Sequence, residues 1–324
     1  MLRFVLSLIN QKLLLIAMLW AAPLGAQAEP LARAQSAYRI VNVVEDFLAY
    51  YRECRVKDLA GRTAGWDTMI ESRHPQFFKD AIYRGKQGLD LKTYKQSCIQ
   101  EFWDKIGPRI PEIKRLNDGI GETIREVVQR FQHHLPDFRP ETDFYVTLSF
   151  SFKGKVVPVD GRDVLAVGLE TFEPSGLTQL KITLAHELFH LYHFMHFSPG
   201  GGLYRMLWAE GLATYASAVV VPGHRRSAYL GFPADKMNRC HELLPWLAAD
   251  FRTNMGRNDN GLKRIYFGAE ANDTQVPPEA GYYLGLLIVE NLARKASLQE
   301  LGAMPAHDVL SLLERELRAL EAQN

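Results

Sequence analysis

In His186-Glu187-Leu188-Phe189-His190, two imidazoles lie one helical turn apart with a carboxylate beside them. Histidines at i and i+4 are separated by about 6 Å of helical rise, so both can reach one metal ion. The glutamate between them is poorly placed to be a ligand. It can instead hold a water at the metal and take its proton, the arrangement of a zinc-dependent hydrolase. With ten histidines in 324 residues, the bare pattern would arise by accident in roughly 1–2% of such chains, so the surroundings must support it. Leu180, Leu184, Leu188, Leu191 and Met195 recur at spacings of four, four, three and four. That stripe predicts an amphipathic helix packed into a core.

Zinc needs a third protein ligand and an open fourth position. Glu210 stands twenty residues after His190, in Trp208-Ala209-Glu210-Gly211-Leu212-Ala213-Thr214-Tyr215. This segment reads as the start of a second apolar helix reaching about Val221. The loop Ser198-Pro199-Gly200-Gly201-Gly202 lets it fold back on the first. A glutamate near a helix N-terminus is also favourable for dipole reasons alone. The rival is His196, six residues after His190. Its spacing matches the third ligand of the metzincin pattern, which needs glycine where this chain has His193. If the helix continues, His196 lies about 9 Å further along the axis from His190 and cannot share its metal. Glu210 is therefore the expected third ligand, with His193 and His196 near the cleft.

From Leu184 to Ser217 the chain resembles the gluzincin metallopeptidases, which follow His-Glu-x-x-His with a helix bearing Glu-Gly-x-Ala. Pro277-Pro278-Glu279-Ala280-Gly281-Tyr282-Tyr283-Leu284-Gly285 resembles their Tyr-x-x-Gly segment. The resemblance spans roughly residues 144–320. It is specific at the metal motif, and the chain most resembles a bacterial group of predicted zinc-dependent proteases known mainly as a domain of unknown function. It implies one Zn2+ ion held by His186, His190 and Glu210, with Glu187 as general base. It further implies Tyr282 as donor to the tetrahedral intermediate, Tyr283 being the alternative register, and a peptide or protein substrate. Gly168-Leu169-Glu170-Thr171 partly echoes the motif whose glutamate grips a substrate amine in the aminopeptidases of that group. A carboxylate exposed at a strand end reads equally well there.

Arg3 and Lys12 precede an apolar run from Leu13 to Leu24, and Ala26-Gln27-Ala28 follows. This is the pattern of a secretory signal peptide cut after Ala28, giving a periplasmic or secreted protein starting near Glu29. Net charge is +1 with both signs interspersed, which argues against a nucleic-acid partner, and no later apolar segment is long enough to span a bilayer. Of the three cysteines, Cys54 and Cys98 fall in the same N-terminal helical region, so an exported protein is expected to pair them and leave Cys240 free.

The chain divides into a signal peptide (1–28), a helical N-terminal region (29–140) and a catalytic domain (141–324). Ile40, Val43, Val44, Phe47, Leu48 and Tyr51 form a helical stripe, as do segments within Tyr94–Ile106 and Ile120–Phe131. Phe144–Phe152 alternates like a half-buried strand. Val164–Glu170 reads as a second strand after a turn at Pro158-Val159-Asp160-Gly161. Helices are expected near Ala234–Phe251, from Tyr282 to about Lys295, and near His307–Leu320, with a polar loop between Asn254 and Pro278. The fold class is α+β, predominantly helical. By the resemblance, it is zincin-like, with a small sheet before the metal helix whose edge strand lies along the cleft.

Three other functions are open to the sequence. One is a metzincin-like protease using His196. Another is a di-iron carboxylate protein, since Glu71-Ser72-Arg73-His74 supplies a second Glu-x-x-His. The last is a non-catalytic, exported metal-binding protein. Intact Glu187 argues against the last.

Overall fold

Val164-Leu165-Ala166-Val167 are buried in succession, a pattern expected of a strand covered on both faces. They form the middle of β4 (Arg162–Gly168) in a four-stranded sheet of order β1-β2-β4-β3. β1 is Arg39–Asn42, β2 Asp143–Thr147 and β3 Gly154–Val159. β1 and β4 both run parallel to β2, and β3 runs antiparallel to β4. The sheet belongs to a computed structural model that describes residues 38–84, 90–173, 176–198, 200–270 and 274–323. The expected signal peptide lies outside these residues. Residues 38–324 form one compact unit.

The N-terminal region is helical, as expected, but it also contributes β1. Ile40 belongs to this strand, and helix α1 (Val44–Cys54) begins four residues later. Next come α2 (Leu59–Met69), a short α3 (Pro75–Phe77) that runs into a wider turn over Phe78–Ile82, and α4 (Leu91–Glu101). Helices α5 (Ile110–Asp118) and α6 (Ile120–His134) complete it. Aromatic rings join this layer to the sheet. Phe77 stacks on Tyr145 with centroids 4.3 Å apart, and Phe150 packs 5.6 Å from Trp66.

The sheet departs from the sequence expectation at two places. β2 stops at Thr147, and residues 148–153 form a loop in which Phe150 has φ +60°. The loop is held by Glu170, whose Oε1 accepts from the N–H groups of Ser149 (2.8 Å) and Phe150 (2.7 Å) and from the Ser149 hydroxyl (2.8 Å). Beyond this loop lies β3, a strand absent from the sequence reading. The turn to β4 is the two-residue Asp160-Gly161, with φ +51° and +74°. A two-residue hairpin loop with both residues at positive φ matches the right-handed twist of its strands.

After the sheet come α7 (Leu177–His193) and α8 (Leu203–Val220). Helix α8 starts five residues before Trp208, so Glu210 sits two turns inside it rather than at its start. Its first N–H groups, on Leu203 and Tyr204, donate to the carbonyls of Arg257 and Met255 at 2.9 Å each. The remaining helices are α9 (Arg226–Leu230), α10 (Ala234–Glu242), α11 (Leu244–Asn254), α12 (Asn260–Phe267), α13 (Ala280–Leu292), α14 (Leu298–Gly302) and α15 (Ala306–Glu321). The helix expected over Ala234–Phe251 is two helices that meet at Leu243, with Pro245 in the first turn of α11. The stretch expected as a polar loop contains α12.

The Cys54–Cys98 disulfide does not form: all three cysteines are buried thiols outside any disulfide. Cys54 ends α1 and is wedged against α2, where a Cβ on Gly65 would lie 3.1 Å from Tyr50 and closer still to the Cys54 sulfur. Cys98 is buried on α4 beside Tyr94. Sharing a helical region did not bring the two sulfurs together.

Candidate metal centre

His186, Glu187 and His190 fall on one side of α7, while Leu180, Leu184 and Leu188 are fully buried. Leu191 is half-buried, and Met195, the last residue of the expected stripe, is 61% exposed. The stripe ends because α7 ends at His193. His186 Nε2 and His190 Nε2 are 3.1 Å apart. Glu210 Oε2, reaching over from α8, lies 3.2 Å from the first and 3.4 Å from the second. These residues form the one group of three or more potential metal donors among the described residues.

The triangle fits a zinc ion. Three ligands of a tetrahedral ion with bonds of 2.0–2.1 Å stand about 3.3 Å apart. The two ring nitrogens converge on one point at van der Waals contact or less, a geometry that a shared cation satisfies. His190 Nδ1 is buried without a partner among the described residues, so packing sets the orientation of this ring, including Phe194 stacked 5.1 Å away. Burial alone would push the Glu210 carboxyl up. The charge of His190 and hydrogen bonds from both imidazoles outweigh it and hold the group well below the ordinary carboxylate range. Burial opposes a charge on His190, but Glu210 raises its pKa on balance.

Glu187 lies beside the triangle and outside it. Burial raises its pKa against the opposing pull of His186 and His190, and the Val156 N–H donates to its carboxylate. The close approach of β3 to α7 depends on Gly154. A Cβ there would stand 2.6 Å from Thr183 Cγ2 and 2.8 Å from Glu187 Cγ, inside any real contact.

Tyr282 stands on the other side. Its ring centroid is 6.3 Å from that of His186 and 5.8 Å from Phe267. Its hydroxyl pKa is raised chiefly by the charge of Glu210, then by burial and by Glu187. Tyr283 turns away, buried, with its hydroxyl 3.5 Å from His241 Nδ1. One contact places both Glu210 and Tyr282. Helices α8 and α13 cross at Gly211 and Gly285, where a Cβ on Gly211 would lie 2.6 Å from the Gly285 carbonyl carbon. A Cβ on Gly285 would lie 2.7 Å from the Leu207 carbonyl oxygen. Each glycine sits next to a site residue in sequence or one turn from it. The glycines of Glu-Gly-x-Ala and Tyr-x-x-Gly are the signal for this crossing, and it was not read from the sequence.

The other expected residues are elsewhere. His193 is fully buried, stacked on Phe197 (4.7 Å, 11°), with neither ring nitrogen bonded among the described residues. Burial pushes its pKa down to about 3, so it is a neutral core residue. His196 is exposed in the turn after α7 and meets the edge of Tyr192. The helix runs through His193 without the sharp turn that a metzincin-like third ligand needs. Glu170 is committed to the 148–153 loop and is raised by burial, so it does not offer its carboxylate to a substrate amine. The second Glu-x-x-His is also engaged. Glu71 binds Lys95 (2.7 Å) and the Tyr83 hydroxyl (3.1 Å), and His74 binds Asp46 (2.7 Å). That leaves nothing for a di-iron site.

Residues 148–311, just over half of the chain, match the family described as predicted Zn-dependent protease (DUF2268). The chain belongs to that family. Family and donor set together give it a zinc cofactor. No curated protein and no solved structure matches it.

Proposed function

We propose that this protein is an exported zinc peptidase of the gluzincin type, hydrolysing peptide bonds with Glu187 as general base and Tyr282 as oxyanion donor. The observation that carries the reading is the triangle of His186, His190 and Glu210 with Glu187 on one flank and Tyr282 on the other. Zinc held by the triangle supplies a Lewis acid that makes water acidic near neutral pH and polarises a carbonyl oxygen. Glu187 takes a proton from the attacking water as its oxygen bonds to the carbonyl carbon. It then delivers that proton to the departing amine as the C–N bond breaks. Tyr282 stays protonated, its pKa raised by Glu210, then by burial and by Glu187 and Glu279. It donates to the oxygen on which negative charge develops.

The edge strand β3 gives the substrate a template. The Gly168 N–H donates to the Lys153 carbonyl at 2.9 Å. In an antiparallel ladder, alternate residues therefore turn their backbone groups outward: Gly154, Val156 and Pro158. The bond from Val156 N–H to Glu187 puts Glu187 beside this outward edge. A peptide added to the edge passes directly in front of Glu187.

Cleavage of a mixed peptide library by the zinc-loaded protein tests the reading. Products should appear with zinc, vanish with chelator, and be absent for Glu187→Gln carrying full zinc. A zinc-loaded protein that cuts no peptide would instead be a non-catalytic metal-binding protein. Export is carried by the sequence from Arg3 to Ala28 alone. An exported form beginning near Glu29 is expected, and one retaining Met1 counts against it.

A further inference from the structure

The free edge of β3 leads from the metal centre into a cavity of about 1110 Å³ that the mechanism does not use. The cavity is walled by α2, α4 and the turn over Phe78–Ile82, and its floor includes Pro158 and Gly161 at the end of the β3–β4 hairpin. Two features show that the edge ends there. Pro158 is the next outward-facing position after Val156 and has no N–H to offer a paired strand. Two residues on, the Asp160 N–H is already taken by Asp80 Oδ2 at 3.1 Å. At 3.4 Å per residue, Pro158 is about 7 Å beyond Val156 and its contact with Glu187. A peptide extended along β3 thus leaves the edge about three residues from the bond being cut and enters the cavity.

The charges in the cavity are unevenly committed. Its three carboxylates are engaged: Asp67 and Glu71 by Lys95, and Asp80 by Gln76 and the Asp160 N–H. Lys79, Arg84 and Lys92 also line it; among the described residues none of them forms a salt bridge, and they act only at longer range, Lys79 and Arg84 on Asp80 and Lys92 on Asp90. All three side chains are exposed. We infer that this cavity is a distal subsite for an acidic substrate segment, selecting an Asp or Glu side chain about three to five residues from the scissile bond. The inference rests on the peptidase reading and on β3 as the substrate template. An anion there meets three exposed cations that form no salt bridge among the described residues, whereas a lysine meets them as like charges.

Two measurements on peptides identical except for Glu, Ala or Lys at that distance test it. The first is cleavage by the zinc-loaded wild type and by a variant carrying Arg84→Glu and Lys92→Glu. The second is fluorescence anisotropy of the same peptides on zinc-loaded Glu187→Gln, with and without the two charge reversals. The wild type should favour Glu over Lys by about tenfold, the sum of two or three exposed ion pairs. The difference should appear in KM and in Kd, with kcat unchanged, and the charge reversals should invert it. Peptides too short to reach Pro158 should be cut equally by wild type and variant. Cleavage without any charge preference overturns the subsite and leaves the peptidase standing. Charge-selective binding without cleavage overturns the peptidase, and with it the subsite as a place in a cleavage path, leaving a site that binds acidic peptides. Loss of both effects overturns both.

Discussion

At the residue scale, Glu187 and Glu210 are two buried carboxylates whose pKa values are pushed in opposite directions, and the proposed mechanism gives them different tasks. Glu210 is held ionised by two imidazoles, as a ligand must be. Glu187 is buried, and its pKa is raised. A base acts only when deprotonated, so activity should be lost as pH falls through the Glu187 pKa. Because that pKa is raised, the acid limb of kcat/KM should lie above the ordinary carboxylate range near 4.3. A pH–rate profile with its acid limb at or below that value would assign the limb to another group. Glu187→Gln preserves shape and removes the proton acceptor. Zinc content should stay stoichiometric while turnover falls by about 10²–10⁴. Tyr282→Phe should cut kcat by about 10²–10³ with zinc content unchanged, and Tyr283→Phe, whose hydroxyl faces His241, should leave kcat nearly intact. Equal effects from the two tyrosines would mean that the Tyr282 hydroxyl does not meet the oxyanion.

At the element scale, the site depends on how closely three helices and one strand approach. Gly211→Ala puts a methyl group into the backbone of α13. Both faces of that contact are main chain and cannot yield, so the cost should be of the order of 1–3 kcal/mol or more. Denaturant unfolding should show this, together with a lower zinc content, because Glu210 moves with the helix. Leu212→Ala, next along the helix and fully buried, opens a cavity of comparable cost. It serves as the control, since it should spare zinc binding. The parts of this arrangement that were legible in the sequence are local. Two histidines, a glutamate and a stripe of leucines lie within one helix, and its periodicity shows them. Glu210 came from the expected fold-back of a second helix and Tyr282 from motif resemblance, and the close helix crossing that unites them was not visible. β3 was illegible because its pattern, Gly154-Lys155-Val156-Val157-Pro158-Val159, carries a proline and no alternation. Proline is tolerated there because an edge strand can lack an outward N–H. β1 was absorbed into a helical stripe, since Ile40 and Val44 have helical spacing whatever the backbone does between them. The disulfide was an inference from compartment, and burial of both thiols against aromatic neighbours replaced it.

At the scale of the whole molecule, the metal ties α7 to α8 and, through the glycine crossing, to α13. Binding to the folded state alone adds about 2.7 kcal/mol at a free zinc concentration one hundred times Kd. Chelation should therefore lower Tm by several degrees, and the shift should shrink in Glu210→Ala but persist in His196→Ala. A Tm indifferent to chelator would separate the fold from the metal. The N-terminal helices complete the sheet through β1, brace β2 through Phe77, and wall the cavity at the end of β3. In the proposed reading they belong to the substrate path as much as to the scaffold.

The central claim is that one zinc ion sits on His186, His190 and Glu210. It is tested most directly by an anomalous difference map at the zinc edge from crystals of the protein. The account predicts a single strong peak about 2.0–2.2 Å from His186 Nε2, His190 Nε2 and a Glu210 oxygen. A peak bound to His196, or none on this triangle in zinc-saturated crystals, would contradict it.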